Sequence, residues 1–511
     1  MENLPSGKII GRREPWFMGG VFMLSWPRRP VIYEINTRVW LHDLGLKYQR
    51  PVHLGNVPPE VWDNLGSLGI DAVWFMGVWE RSPIGIRISM QNRNLLADFR
   101  RALPDFTERD NLGSAYCIRN YLADEAAGGP GGLAAARGKL ADRSIRLLLD
   151  FVPNHVAWDH PWVSEHPEFF IPGDARDLAL DPTSFAKCGG RIFACGRDPY
   201  FPAWEDVVQI NAFHPGLRRA VVETVSGIAS QCDGVRCDMA MLLMNKVFQS
   251  TWGRRAGVPP AAEYWPELIS AVRRVHPQFL FMAEAYWDLE WELQQQGFDY
   301  CYDKRLYDRL VHDHGESIRL HLCADLGYQN KLVRFIENHD EPRAAAKFSH
   351  LRERAAAVAF ATLPGAKLFY EGQLEGRKIR PPVFLGRRPP EPVDPELQTF
   401  YKNLLRVIRR PVFQEGEWRL CERSGWPDNR SYLDLIAWCW KREGDRSLVI
   451  VNLSGSSAQA RVQIPWTELS GRRCRVFDEF TREAFDRDGG EMQSPGLFVD
   501  LPPWGVHFFR F

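Results

Sequence analysis

Gly234-Val235-Arg236-Cys237-Asp238 is the stretch from which the rest of the chain is read. Cys232 and Asp233 precede it, and an apolar run, Met239 to Leu243, follows. On an extended strand alternate side chains share a face. Gly234, Arg236 and Asp238 therefore point one way, and Val235 and Cys237 the other. A fixed positive charge two residues before an aspartate favours the ionised carboxylate. Taken alone, the stretch reads as a structural ion pair at a strand end. Its surroundings change that reading.

Working outward, similar apolar runs recur. Residues 31–41 (VIYEINTRVWL) are rich in β-branched and aromatic residues, as strands are. Residues 70–79 (IDAVWFMGVW) and 145–155 (IRLLLDFVPNH) read as strands buried on both faces. Further strands are expected near 279–287, 332–340 and 366–372, and 298–308 reads as a strand running into a helix. Helical segments fall between them, at 58–69, 216–230, 263–276, 351–362 and 395–410. About eight strands alternating with helices is the order of an α/β (β/α)8 TIM barrel. A doubly wound sheet would bring a Gly-rich phosphate turn early in the chain. Gly128–Gly132 (GGPGG) is no such turn, because the spacing to Gly138-Lys139 is wrong and Leu140 replaces the Ser or Thr.

The expected organisation has four parts. Residues 1–30 form an irregular N-terminal extension and 31–410 the barrel. Within the barrel, 156–215 is an inserted loop-rich subdomain after the third strand, too long for a plain loop. Residues 411–511, with short strands between Gly, Ser and Asp turns, form a C-terminal β-sandwich.

Composition narrows the function. Lys+Arg (64) equal Asp+Glu (64), so no global basic field draws nucleic acid or an anionic membrane. The longest apolar run, Ala355–Ala366, is broken by Thr362, Pro364 and Gly365, and is too short to span a bilayer. The N-terminal sequence has no continuous apolar core of a secretory signal, which leads us to expect a cytoplasmic location. None of the ten cysteines forms CxxC, and reduced thiols are expected there. Cys188 and Cys195 are spaced to pair or share a metal, and buried small side chains in a loop is the preferred reading.

Polar residues at the C-terminal ends of barrel strands read as catalytic. Four strands end that way: Asp150 to His155, Arg236 to Asp238, Glu284 to Trp287, and Glu337 to Asp340. Asp238, Glu284 and Asp340 would then converge on one pocket. A carboxylate cluster without metal-ligand thiols suits glycoside chemistry, which needs a nucleophile and a protonated acid. Glu284 lies among Ala283, Ala285, Met282, Tyr286 and Trp287, and an apolar wall raises a carboxyl pKa. His155 and His339, read as neutral, are placed to donate hydrogen bonds to sugar hydroxyls.

These segments, DFVPNH, GVRCD, MAEAYW and FIENHD, resemble the four signature regions of the α-amylase family, glycoside hydrolase family 13, in the right order. Gly113, Tyr116, Arg119 and Tyr121 and the stretch YEGQ (370–373) add to the likeness. The resemblance implies a retaining enzyme acting on α-glucans. In it Asp238 would be the nucleophile, Glu284 the acid/base and Asp340 the transition-state stabiliser. Arg236, His155 and His339 would bind the cleaved sugar, and Tyr116 would stack on it. Trp287 and Arg197 are further substrate-binding candidates; Arg197, Asp198, Tyr200 and Trp204 either line the cleft or hold the subdomain together.

The chain also departs from the family pattern. A Lys-His pair common after the nucleophile, on the acceptor side, is here Met241-Leu242. The fifth region appears as VVQIN (207–211), with Gln209 where an aspartate would sit. Glu205 and Asp206, close by in another register, read as a solvated loop. Both departures weigh against the calcium site the family would imply, so no metal or cofactor is expected. The partner expected is an oligosaccharide or polysaccharide α-glucan. Transfer to a sugar acceptor instead of water is the alternative activity, and a silent carbohydrate-binding barrel the alternative of another class. Substrate identity and oligomeric state are not readable at this level.

Overall fold

The computed structural model describes residues 26–511, so most of the expected 1–30 extension lies outside the described residues. Eight parallel strands close into a barrel: β1 (Val31–Asn36), β2 (Ala72–Met76), β3 (Arg146–Phe151), β4 (Gly234–Cys237), β5 (Leu280–Ala283), β6 (Tyr300–Tyr302), β7 (Leu332–Arg334) and β8 (Ala366–Tyr370). Each pairs with its neighbours in sequence, and β1 closes on β8 through Val31 to Glu34 against Lys367 to Tyr370. Helices separate most successive strands. The one at Tyr264–Val275 shows why: Tyr264, Trp265, Leu268, Ile269 and Val272 recur at helical spacing and are the residues it buries.

β4 sits between β3 and β5, with Arg236 level with Asp150 on one side and Met282 on the other. Its first residue has to be glycine. A Cβ at Gly234 would stand 2.7 Å from the Leu280 carbonyl oxygen and 2.8 Å from Leu148 Cδ2. That close approach seats the strand that carries Arg236.

Two features differ from the expectation. The seventh strand, read over 332–340, pairs only at Leu332–Arg334. Beyond it the Asn338 side chain accepts the backbone N–H groups of Asp340 (2.9 Å) and Glu341 (2.8 Å), a turn that competes with ladder pairing. The second excursion, between β2 and β3, was not read at all. It holds helices at Pro83–Gln91 and Arg93–Ala102 and a hairpin pairing Trp79–Arg81 with Ile118–Ala123.

After β3 a small sheet runs from His155–Ala157 through Trp204–Gln209 and Arg191–Gly196. Glu205 and Asp206 belong to one of its strands and not to a solvated loop. Cys188 and Cys195 are both free thiols.

The C-terminal region has a six-stranded and a three-stranded antiparallel sheet. The strand Leu435–Arg442 works on both faces. Leu435, Ala437 and Cys439 join the core between the sheets, whereas Ile436, Trp438 and Trp440 join the core shared with the barrel. Trp440 Nε1 donates to the Thr362 carbonyl (2.7 Å), and the Arg29 guanidinium stacks 4.6 Å from its ring. Trp440→Ala is expected to cost about 3–5 kcal/mol, read as a lowered midpoint in equilibrium urea unfolding.

Candidate active site

At the C-terminal mouth of the barrel, one cation gathers the groups. Arg236 is fully buried, and its Nη1 donates to Asp238 Oδ1 at 2.5 Å. Its Nη2 lies 2.8 Å from Glu284 Oε2, an ion-pair contact off the hydrogen-bond axis. The rings of Trp74, Tyr116 and Tyr302 surround the guanidinium, with centroids 5.4, 5.3 and 5.7 Å away. This box of π faces helps hold a charge away from water. Although burial works against the charge, Glu284 leads the neighbours that hold the Arg236 pKa well above the ordinary arginine value.

Just past Asp238 the backbone turns left-handed at Met239 (φ 42°). That turn lets the Met239 N–H donate to Glu284 Oε2 at 2.6 Å. The other carboxyl oxygen, Oε1, accepts from the Tyr286 hydroxyl at 2.8 Å. Burial pushes the Glu284 carboxyl up to about 7, with Asp238 and Asp340 reinforcing it and Arg236 opposing it. Asp150, held by Trp74 Nε1 (3.2 Å) and the Gly77 N–H (2.9 Å), is pushed by burial to about 6.

The third carboxylate has its own cation. His339 Nε2 lies 3.0 Å from Asp340 Oδ2, and its Nδ1 lies 2.5 Å from Glu34 Oε1. Burial pushes His339 down, but Asp340 and Glu34 outweigh it and hold its pKa well above the ordinary histidine value. The neutral His339 of the sequence reading is therefore corrected: between two carboxylates it is an imidazolium. The charge on His339, with help from Arg236 and Arg380, overcomes burial and lowers the Asp340 pKa. His155 goes the other way, pushed to about 4 by burial, and stays neutral.

The geometry thus brings together Asp238, Glu284, Asp340, Arg236 and His339. Tyr116 joins them, stacked on the His339 ring (5.4 Å, 25°) with its hydroxyl 2.7 Å from Nε2. His155 packs beside them against Trp204 (5.1 Å). Trp287 meets Tyr200 edge to face (4.9 Å). Arg197 reaches from the subdomain to the helix Asn245–Trp252 that follows β4, with its guanidinium 4.8 Å over Trp252 and bonded to the Thr251 carbonyl (3.4 Å). Sequence reasoning missed Glu34, Trp74, Tyr302 and the Glu284 contact of Tyr286. Glu34 carried a signal: it is a lone acid within the otherwise apolar-looking run VIYEIN.

No protein-family model matches the chain. It is 26% identical over 470 residues to α-amylase MalA of Haloarcula japonica, covering 88% of this chain and 58% of that protein. It is 23% identical over 391 residues to α-amylase 3 of Dictyoglomus thermophilum, covering 72% of this chain and 67% of that one. The chain therefore spans little more than half the length of the first of these relatives. In three dimensions it matches the maltogenic α-amylase AmyB from Thermotoga neapolitana with a TM-score of 0.68 at 18% identity, over 95% of this chain and 99% of that one. An α-amylase from Lactobacillus plantarum matches at 0.65 and 18%, over 95% and 99%. At those identities the structural likeness speaks for the fold, and the sequence matches speak for kinship. In sequence and in fold the chain is similar to α-amylases.

Its departures from the α-amylase pattern now have places. Met241 and Leu242, where the family often has Lys-His, are buried in the apolar core. Gln209 is fully buried against Asn154. Its Nε2 donates to the Asn154 carbonyl (2.9 Å), Asn154 Oδ1 (3.0 Å) and the Ile210 carbonyl (3.1 Å), while its Oε1 accepts from Asn154 Nδ2 (3.2 Å) and the Arg197 N–H (3.3 Å). Gln209→Ala strands these buried groups. A loss of about 1–3 kcal/mol is expected, measured by chemical denaturation.

Proposed function

We propose that the protein is a retaining glycoside hydrolase acting on α-glucosidic bonds of α-glucans or maltooligosaccharides. The observation that carries this reading is the single Arg236 guanidinium in contact with both Asp238 and Glu284. It keeps the two carboxyls within several ångströms, which supports the spacing of about 5–5.5 Å that retaining chemistry uses. Asp238 attacks the anomeric carbon, and the glycosidic C–O bond breaks as Glu284 gives its proton to the leaving oxygen. Glu284, now ionised, takes a proton from water, whose oxygen displaces Asp238 and frees the sugar. Asp340 holds hydroxyls of the same ring, and its negative charge favours the oxocarbenium-like transition state. Tyr116, His155 and His339 contact the cleaved sugar.

The protonation pattern supports this division of labour. Five acids (Glu34, Asp150, Asp238, Glu284 and Asp340) gather round two cations, Arg236 and His339, and all are buried except Asp340, whose side chain is 44% exposed. Such an excess of negative charge favours retaining a proton on the least compensated acid. Glu284, raised to about 7, is suited to be that acid.

We also infer that the subdomain junction works without calcium. A hard cation needs converging oxygens. Here the Gln209 amide N–H2 group points at the Asn154 and Ile210 oxygens such an ion would use. The ten unpaired thiols, most of them buried, support the cytoplasmic location.

Product analysis after incubation with maltoheptaose, glycogen, trehalose and sucrose tests the function. Release of reducing sugar is expected, and Asp238→Asn should lower kcat at least 1,000-fold, on the order of losing a covalent nucleophile. Activity surviving that change would sink the mechanism. The kcat/KM profile should fall as pH rises through about 7, where Glu284 loses its proton. Tyr286→Phe removes a donor to the ionised form and should move that limb to higher pH. A chelator should leave the thermal midpoint unchanged, and a drop reversed by calcium would overturn the metal-free junction.

A further inference from the structure

Glu34 is the one acid in β1, and it has no exposed surface. One carboxyl oxygen, Oε1, lies 2.5 Å from His339 Nδ1. The other, Oε2, is buried without a hydrogen-bond partner among the described residues. A buried carboxylate that directs its charge at one group and leaves an oxygen unpaired costs stability. Ionisable groups held at such a cost concentrate at functional sites.

His339 passes the contact on through its other ring nitrogen. Nε2 lies 3.0 Å from Asp340 Oδ2 and 2.7 Å from the Tyr116 hydroxyl. With both nitrogens protonated, the ring donates to Glu34 on one side and to Asp340 on the other. Without the charge of Glu34, Nδ1 still faces an acceptor, so the proton lost is the one on Nε2. The ring would then turn a lone pair on the Asp340 carboxylate, and the Tyr116 hydroxyl would donate to Nε2 instead. The other charged or titratable groups here do not replace Glu34. Asp150 on β3 feels the charge of the ring without touching it, and Arg236 on β4 stands over Tyr116. Tyr302, Tyr370 and Glu337 lie around Glu34 itself, and Glu337 is held by Arg343.

We propose that Glu34 is a positioning residue for glycosidic cleavage: it keeps His339 a double donor, so that Asp340 meets the sugar ionised and fixed in orientation. The proposal rests on the hydrolase reading above and adds to it a group on the first strand. With no exposed surface, Glu34 acts on the sugar only through His339 and Asp340. No proton moves along this chain during turnover; its effect is on where charge sits.

The first measurement is on the wild-type ring. In protein labelled with nitrogen-15 histidine, the His339 signals are those absent from His339→Asn. They should show both nitrogens protonated at about pH 8, and a ring that titrates near the ordinary histidine value of about 6.5 would overturn the proposal. The second uses Glu34→Gln, whose amide oxygen still accepts from Nδ1 but carries no charge. His339 is protonated below its pKa and neutral above it. Lowering that pKa should therefore move the alkaline limb of kcat/KM for maltoheptaose to lower pH, by about one pH unit or more. The limb should coincide with the titration of the ring, and Glu34→Asp, which keeps the charge, should bring it back toward the wild-type position. An equal loss at every pH, with the limb in place, would make Glu34 a packing residue and sink the proposal. If Glu34→Gln does not fold, the wild-type ring decides. A wild-type protein inert on maltoheptaose, whatever the charge of its ring, would instead overturn the hydrolase reading.

Discussion

The interaction on which the structure depends is the shared grip of Asp238 and Glu284 on Arg236. Removing a guanidinium from water costs several kcal/mol, and a buried ion pair offsets that only when the geometry is good. Here the compensation is assembled from many strands. Trp74 comes from β2, Asp238 and Glu284 from the ends of β4 and β5, and Tyr302 from β6. The His339–Glu34 pair ties the end of β7 back to β1. A sheet left open between β7 and β1 would leave His339 without Glu34. Barrel closure and site assembly are therefore one event, and breaking any one partner exposes the others to an uncompensated charge.

That coupling explains what the sequence revealed and what it hid. Asp238, Glu284 and Asp340 were legible because each follows an apolar strand, and side chains at those ends must point into the mouth. The barrel was legible for the same reason: its strands read as continuous apolar runs. Glu34, Trp74 and Tyr302 were hidden because a residue within such a run looks like core. Only closure tells which of them faces the arginine. The helix Arg93–Ala102 between β2 and β3 was hidden because it packs with the 379–385 loop, in a small cluster around Phe99 and Leu385. That pairing joins residues nearly 300 positions apart. The strand at 332–340 was overread because Asn338, a turn-maker, overrides the β-prone residues before it.

The two site histidines show how far environment outruns residue type. His155 has the subdomain around it and only the distant pull of Asp238, so burial wins and the ring is neutral. His339 faces the same burial but touches Glu34 and Asp340, so charge wins. The imidazolium lets Asp340 stay ionised without adding to the load on Arg236. Glu284, with one shared cation and two acidic neighbours, is left as the group that holds a proton. Glu284 and Asp340 thus differ in the cation each one touches, and not as acids.

The same logic extends to the subdomain. Gln209 is uncharged, yet one side chain bonds Asn154 at the end of β3, the Ile210 carbonyl and the Arg197 N–H. Arg197 opens the turn in which Asp198 presents Tyr200 and Phe201. A neutral amide therefore sets the distance between the barrel mouth, where the carboxylates sit, and the aromatic tip that reaches Trp287. Because its bonds are directional, it fixes orientation as well as separation. It does so without adding a charge to a site whose chemistry depends on a count of charges. A cation at that junction would add positive charge near His155 and change that count. An amide leaves that count to the carboxylates and to Arg236.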